Sequence, residues 1–200
     1  MFILTLFSFQ STFSQQPSFF MIGEEELSGV HVYDLIQDKN EDYWVATNNG
    51  LYYYDYYHFK KIDCPIMTSS SVFNLVENNK GELFCNNLSG QIFKIENQQC
   101  ELYYQIPDSL MHYEIEINFD NQDKLTVLNR GLFQLDDQKN VDILLEKSKD
   151  LFYGLLSRDQ QGGLYFVNSN AGRILKLYNG KIEEVTAIEP EQRPFAIANQ

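Results

Sequence analysis

Asp38-Lys-Asn-Glu-Asp-Tyr-Trp-Val-Ala-Thr-Asn-Asn-Gly50-Leu-Tyr-Tyr-Tyr-Asp55 is the fullest of four copies of one block in this chain. The other copies run Asn78–Ile95, Asp120–Asp136 and Asp159–Leu177. Their late glycines are Gly50, Gly90, Gly131 and Gly172, so the block recurs in steps of 40, 41 and 41 residues. A fixed period in this range marks an array of identical supersecondary units.

Each unit holds four β-like runs. The first runs are Val32–Gln37, Val72–Glu77, Glu114–Phe119 and Gly154–Arg158. A polar turn opened by Asp or Asn follows each of them: Asp38–Asp42, Asn78–Gly81, Asp120–Asp123 and Asp159–Gly163. Asx side chains open such turns by bonding the backbone two residues on, and glycine supplies a positive φ. The second runs are Tyr43–Thr47, Leu83–Asn86, Lys124–Leu128 and Leu164–Asn168. Polar residues and the unit glycine come next, a hairpin signal. The third runs are Leu51–Tyr54, Gln91–Ile95, Leu132–Leu135 and Arg173–Leu177, and the fourth are Phe59–Ile62, Glu101–Ile106, Val141–Leu145 and Ile182–Ala187. No stretch between them has a helical period. Four antiparallel strands per unit predict an all-β fold, a β-propeller of about four blades belonging to a larger ring. Trp44, Phe84, Leu125 and Phe166 recur in the second run and read as packing between blades.

These residues resemble the two-component regulator propeller repeat, V-x-x-I-x-x-D-x-x-G-x-x-W-x-x-T-x-x-G-L-x-x-Y-D. The first copy matches at Val32, Asp38, Trp44, Thr47, Gly50, Leu51, Tyr54 and Asp55 and departs at the turn glycine, where Glu41 stands. The later copies keep the period and lose the Trp and Thr. The resemblance covers about residues 19–177, with units of about 19–62, 63–106, 107–147 and 148–188 and the start of a fifth at 189–200. It implies a periplasmic sensor region of a membrane histidine kinase of the Bacteroidetes type. The kinase and one membrane span would follow outside these residues, and the parent protein would supply any homodimer contact. On this reading the chain is a partial, non-catalytic ligand-sensing propeller over residues 15–200.

Residues 1–14 are apolar, then small and polar, and uncharged, which resembles a secretory signal peptide. The apolar part, 2–9, is too short to span a bilayer. Residues 19–22 resemble the outer-strand run 59–62 and are expected to be left unpaired here. Cys85 reads as a buried small hydrophobe, and Cys64 and Cys100 can pair only where neighbouring outer strands align. The net charge of −13 argues against nucleic acid and against an anionic membrane surface as partners.

No catalytic set, metal spacing or cofactor motif emerges. His31, Ser71, His112 and Tyr153 each stand 19 residues before the unit glycine, so they are candidates for a polar ligand-binding ring where inner-strand loops converge. Counted from the turn Asx instead, two of the four shift by one residue. The competing account is ordinary polar residues beside turns. Tyr53, Tyr56 and Tyr57, in the aromatic run 51–59, are a second candidate patch. Stacked aromatics suit sugar rings, and an oligosaccharide is one candidate ligand; the competing account is cross-strand packing. Two further functions stay open: a secreted propeller enzyme acting on polysaccharide, and a structural scaffold for protein interaction. Fold alone does not choose among them.

Overall fold

The structure is a computed structural model that describes residues 21–112, 114–147, 153–168 and 171–187. The signal-peptide stretch, Phe19, Phe20 and the expected fifth unit lie outside the described residues. Among the described residues, sixteen strands form four four-stranded antiparallel sheets, a four-bladed β-propeller architecture. Blade 1 holds β1 (Val32–Gln37), β2 (Tyr43–Thr47), β3 (Gly50–Tyr54) and β4 (Phe59–Lys61). Blade 2 holds β5 (Val72–Glu77), β6 (Leu83–Asn87), β7 (Gln91–Glu96) and β8 (Gln99–Gln105). Blade 3 holds β9 (Glu116–Phe119), β10 (Leu125–Leu128), β11 (Leu132–Leu135) and β12 (Val141–Leu145). Blade 4 holds β13 (Tyr153–Arg158), β14 (Leu164–Asn168), β15 (Arg173–Tyr178) and β16 (Lys181–Ala187). Spatial order follows chain order in every sheet, and β1, β5, β9 and β13 pack side by side as the inner strands.

Strand limits differ from the sequence reading by one or two residues, with local causes. Asn97 and Asn179 take positive φ together with Gln98 and Gly180, so two-residue turns lengthen β7, β8, β15 and β16. In blade 3 the inner strand starts at Glu116 rather than Glu114, because a turn at Pro107–Met111 and a bond from the Glu114 N–H to His112 Nδ1 (3.4 Å) occupy the backbone before it. The unit glycines all sit at the β2–β3-type hairpins. In blade 1 the loop is only Asn48-Asn49, so Gly50 opens β3 with φ 107°. In blade 3 the positive φ passes to Arg130, and a Cβ on Gly131 would meet the Leu145 carbonyl instead. Met21 and Ile22 lie ahead of a run of turns and not in a strand. Gly23 in that run lies against the Phe59 ring.

The core lies in layers between consecutive blades. Trp44, Ala46 and Leu51 meet Val72, Leu75, Leu83, Cys85, Phe93 and Ile95 between blades 1 and 2. Phe84 and Ile92 point the other way, onto Ile115, Ile117, Phe119, Leu125, Val127, Phe133 and Leu135. Leu128 and Leu132 meet Leu156, Leu164, Phe166 and Leu177 between blades 3 and 4. Period-two alternation thus feeds both faces of a middle blade, and β6 is buried along its whole length. Each such apolar side chain contributes about 1.5–3 kcal/mol on burial. Cys64 and Cys100 form a disulfide across Cα atoms 5.3 Å apart, joining the connection after β4 to β8. Cys85 is free and fully buried, and burial pushes its thiol up to about 12, so it is a packing residue.

Candidate functional site: the connecting-loop end

The propeller has two unlike ends. One carries the turns that join first to second strands, and here all four blades repeat the same chemistry. Asp38 Oδ1 accepts from the Asn40 and Asp42 N–H groups. Asn78, Asp120 and Asp159 make the same pair of bonds in their own turns. The second side-chain head atom of each Asx finds a further partner. Trp44 Nε1 donates to Asp38 Oδ2 (2.9 Å), Gln134 Nε2 to Asp120 Oδ2 (2.7 Å) and Lys176 Nζ to Asp159 Oδ2 (2.9 Å). In blade 2, Asn78 Nδ2 donates to Glu82, whose other oxygen takes Lys94 Nζ. The residue after the Asx reaches towards the next blade. Lys39 N–H donates to Glu77 Oε1, Asn79 N–H to Asp123 Oδ1, and Asn121 Nδ2 to Asn179 Oδ1. This end is scaffold.

Along the inner strands, single bonds link blade to blade. Asp34 Oδ2 accepts from Leu75 N–H (2.7 Å), Asn74 Nδ2 donates to Glu116 Oε2 (3.0 Å), and Asn118 Nδ2 donates to the Leu156 carbonyl (3.3 Å). Burial pushes the Glu116 carboxyl above the ordinary carboxylate range against the Asn74 bond, and Asp34 adds to the rise.

The opposite end carries the glycine hairpins and the connections from one blade to the next. His31 lies here, exposed, with its N–H on Asn48 Oδ1 (2.8 Å). Ser71 is the matching residue of blade 2; each directly precedes its inner strand. Tyr153 is the first residue of β13 and pairs with Asn168, so it stands one step inside its strand. His112 lies on the connecting loop, four residues ahead of β9. The four therefore share an end without sharing a register. Burial, and then the Arg130 guanidinium, hold the His112 imidazole below the ordinary histidine range; Glu114 opposes this and Lys147 adds to it. His58 sits in the turn between β3 and β4, at the scaffold end.

The tyrosines of the aromatic run separate. Tyr53 packs edge-on against Trp44 (ring centroids 5.0 Å apart) in the layer between blades 1 and 2. Tyr56 stands edge-on to Tyr43, and its hydroxyl donates to the Glu41 carbonyl (2.7 Å), so it ties a turn. Tyr57 is 82% exposed. Tyr54 stacks on Phe59 at 4.4 Å.

The loop end also holds a cleft of about 710 Å³ between the Asn49–Leu51 hairpin, the end of β4 and the connection from Cys64 to Ser70. The size is that of a small-molecule pocket. Its loop wall is pinned from beneath. Gln91 Oε1 accepts from Thr68 N–H (2.8 Å), Thr68 Oγ1 (2.9 Å) and Asn87 Nδ2 (2.8 Å), and its own Nε2 donates to the Ile66 carbonyl (3.0 Å). Asn87 Nδ2 also donates to the Ser69 carbonyl, and Ser70 Oγ to the Asn48 carbonyl. Asn87 and Gln91 are not among the residues that the sequence marks as a site. The signal in the sequence is a split: Leu51 and Leu132 directly follow their unit glycines, whereas Gln91 and Arg173 stand there in blades 2 and 4. Among the described residues no group of three or more His, Cys, Asp or Glu is placed to hold a metal ion.

Residues 26–49 match the model of the two component regulator propeller. The chain carries a regulator propeller repeat. The matched stretch runs from ahead of β1 through the Asp38 turn and β2, which is the part that holds both Asp38 and Trp44. No curated protein matches the chain. Among solved structures, this chain is similar to a virginiamycin B lyase from Staphylococcus aureus, with TM-score 0.69 and 15% identity over 83% of this chain and 59% of that one. It is similar to the extracellular domain of a Bacteroides thetaiotaomicron protein described as a hybrid two component system, with TM-score 0.62 and 19% identity over 78% of this chain and 24% of that one. An auxiliary nutrient binding protein from B. thetaiotaomicron matches with TM-score 0.54 and 12% identity over 76% of this chain and 46% of that one. The chain thus spans little more than half of the lyase and about a quarter of the extracellular domain. At these identities the likeness is one of fold.

Proposed function

We propose that this chain is a non-catalytic recognition module that binds an extracellular ligand at its connecting-loop end and signals the binding to a histidine kinase. The observation that carries the reading is the regulator-propeller match over residues 26–49. Three features support it. The fold resembles about a quarter of the extracellular domain described as that of a hybrid two component system. The Cys64–Cys100 disulfide suits an exported, oxidising location. The two ends divide between a repeated scaffold and a variable, pinned loop surface, the division found where rigid elements present binding loops. The lyase likeness, at 15% identity, is one of fold. His58 lies at the other end from His31 and His112, so the three histidines do not form one acid–base group.

The test is a thermal-shift screen of sugars, amino acids and short peptides on the full chain, followed by mass spectrometry of the hits. The expected result is saturable stabilisation with the ligand recovered intact. Ligand turnover overturns the non-catalytic reading. If binding is lost in the His31→Ala, His112→Ala double variant, it belongs to the loops that lead into the inner strands.

A further inference from the structure

We infer that the 710 Å³ cleft of blade 1 is a site for a short zwitterionic peptide with an apolar side chain. The inference rests on the recognition reading and names the ligand class and the place.

The first step is that the cleft is built. Gln91 is 4% exposed and occupies a position that Leu51 and Leu132 fill in blades 1 and 3. A buried amide there costs desolvation unless every bond is made. Three of its bonds go to the connection that walls the cleft and a fourth to Asn87, itself fully buried and also bonded to that connection. The disulfide fixes the start of the same connection. Blades 1 and 3 fill this position with leucine and blade 4 with an exposed arginine, Arg173; only blade 2 buries a polar side chain there, and it holds a loop of the preceding junction. A loop ordered in advance does not pay its ordering entropy on binding.

The second step is the chemistry of the walls. Lys61 and Asp63 both line the cleft. They are two residues apart, so their Cα atoms stand roughly 7 Å from each other. Neither forms an ion pair among the described residues. Lys61 Nζ is bonded to Asn49 Oδ1 (3.0 Å), and an ammonium has two further N–H donors. Met67, part-buried over the core residues Leu51 and Ile62, supplies apolar wall, and Thr68 and Ser70 supply hydroxyl oxygens. A lysine held by Asn49, an exposed carboxylate two residues on and the apolar surface of Met67 match a carboxylate, an ammonium and an aliphatic side chain on one small molecule. The volume suits two or three residues rather than one. A ligand of zero net charge also escapes repulsion by a chain of net charge −13. No aromatic ring lines the cleft, so it lacks the stacking surface that favours sugar rings.

The experiment is calorimetric titration of the full chain with the dipeptide Leu-Leu, its N-acetyl form, its C-terminal amide and a maltooligosaccharide. Leu-Leu is expected to bind saturably, and each blocked form to bind about tenfold or more weakly, the loss for one charge-assisted bond. Asp63→Asn should remove discrimination against the acetylated form only. Lys61→Met should remove discrimination against the amide only. Both side chains are exposed, and unchanged melting of the variants confirms folding. Equal affinity for free and blocked peptides, or no peptide binding by folded wild-type protein, overturns the inference. Oligosaccharide binding that survives both cleft variants and is lost in the His31, His112 double variant overturns it too, while leaving the recognition reading intact.

Discussion

The Asp38-type turn end and the connecting-loop end are built from the same four repeats, yet only the turn end repeats its side-chain bonds in all four blades. At the turn end, four Asx side chains make the same two backbone bonds. At the loop end, the connection before blade 2 is held by Gln91 and a disulfide, whereas the one before blade 3 is held by Asn129 Nδ2 on the Leu110 carbonyl and Lys147 Nζ on the Met111 carbonyl. Uniform bonding marks what every blade needs in order to stand. Bonding that changes from blade to blade marks what one blade does and another does not. The comparison makes quantitative demands.

The largest effect belongs to Trp44, which joins the scaffold turn to the core. Trp44→Ala should destabilise the chain by about 3–5 kcal/mol, since it empties a packed layer and strips Asp38 of a donor. Trp44→Phe keeps much of the volume and loses the bond, and should cost only about 1–2 kcal/mol. Chemical denaturation measures both; equal losses would mean that the indole N–H, not packing, holds this end.

Next in size is the disulfide. Its two cysteines are 36 residues apart, and closing a loop of that length stabilises by about 3–4 kcal/mol in the chain-entropy account. Replacing both cysteines by Ala should lower stability by that order and raise hydrogen exchange at Thr68 more than at any scaffold turn. Uniform loosening would break the distinction between the ends.

How much of this was legible in the residues follows the same division. The period of Gly50, Gly90, Gly131 and Gly172 and the Asx at each turn gave the blades and their order, because period-two burial and turn chemistry are local properties. The cleft was not legible. It forms where the connection from Cys64 to Ser70 folds back over the end of β4, a contact no local pattern encodes. The disulfide needed the alignment of that connection with β8, which spacing alone leaves open. Equal distance to the glycine grouped His112 with His31, but the turn at Pro107–Met111 displaced it from the strand.

Gln91→Leu tests that split by introducing the residue type of blades 1 and 3. It should cost about 1–3 kcal/mol, because Asn87 and the Thr68 N–H lose a buried acceptor. Proteolysis within residues 64–70 should accelerate. A stabilised Leu variant with an unaltered loop would show that Gln91 holds nothing.

A smaller, pH-dependent effect is expected at the scaffold end. The Lys176 ammonium, then the Gly163 N–H, hold the Asp159 carboxyl down to about 2. A carboxyl with a folded value below its unfolded one stabilises fully above the ordinary range. That stabilisation is lost as pH falls from there through about 2. Asp159→Asn should therefore flatten the stability profile in that acid window and leave it unchanged near neutrality apart from a constant offset. An unchanged acid slope would show that the exposed pair is fully screened by solvent.

The finest test turns on one backbone angle repeated four times. The third residue after each Asx is left-handed: Glu41 at φ 70°, Gly81 at 71°, Asp123 at 62° and Gly162 at 80°. Two blades meet this with glycine, which bears no Cβ penalty there, and two do not. Glu41 donates its N–H to the Asp38 carbonyl, and its own carbonyl accepts from Tyr56 and Gln37; all of these are backbone groups that survive substitution. Glu41→Gly should therefore stabilise by about 0.5–1 kcal/mol, strain relief exceeding the added freedom of the unfolded chain. Asp123 is the control. Aspartate tolerates the left-handed region better than glutamate. Its carboxylate also accepts from the Asn79 N–H at 2.7 Å, a link between blades that glycine cannot make. Asp123→Gly should destabilise by about 1 kcal/mol. Opposite signs at two equivalent turns would separate what the repeat requires of its backbone from what each blade adds with its side chains.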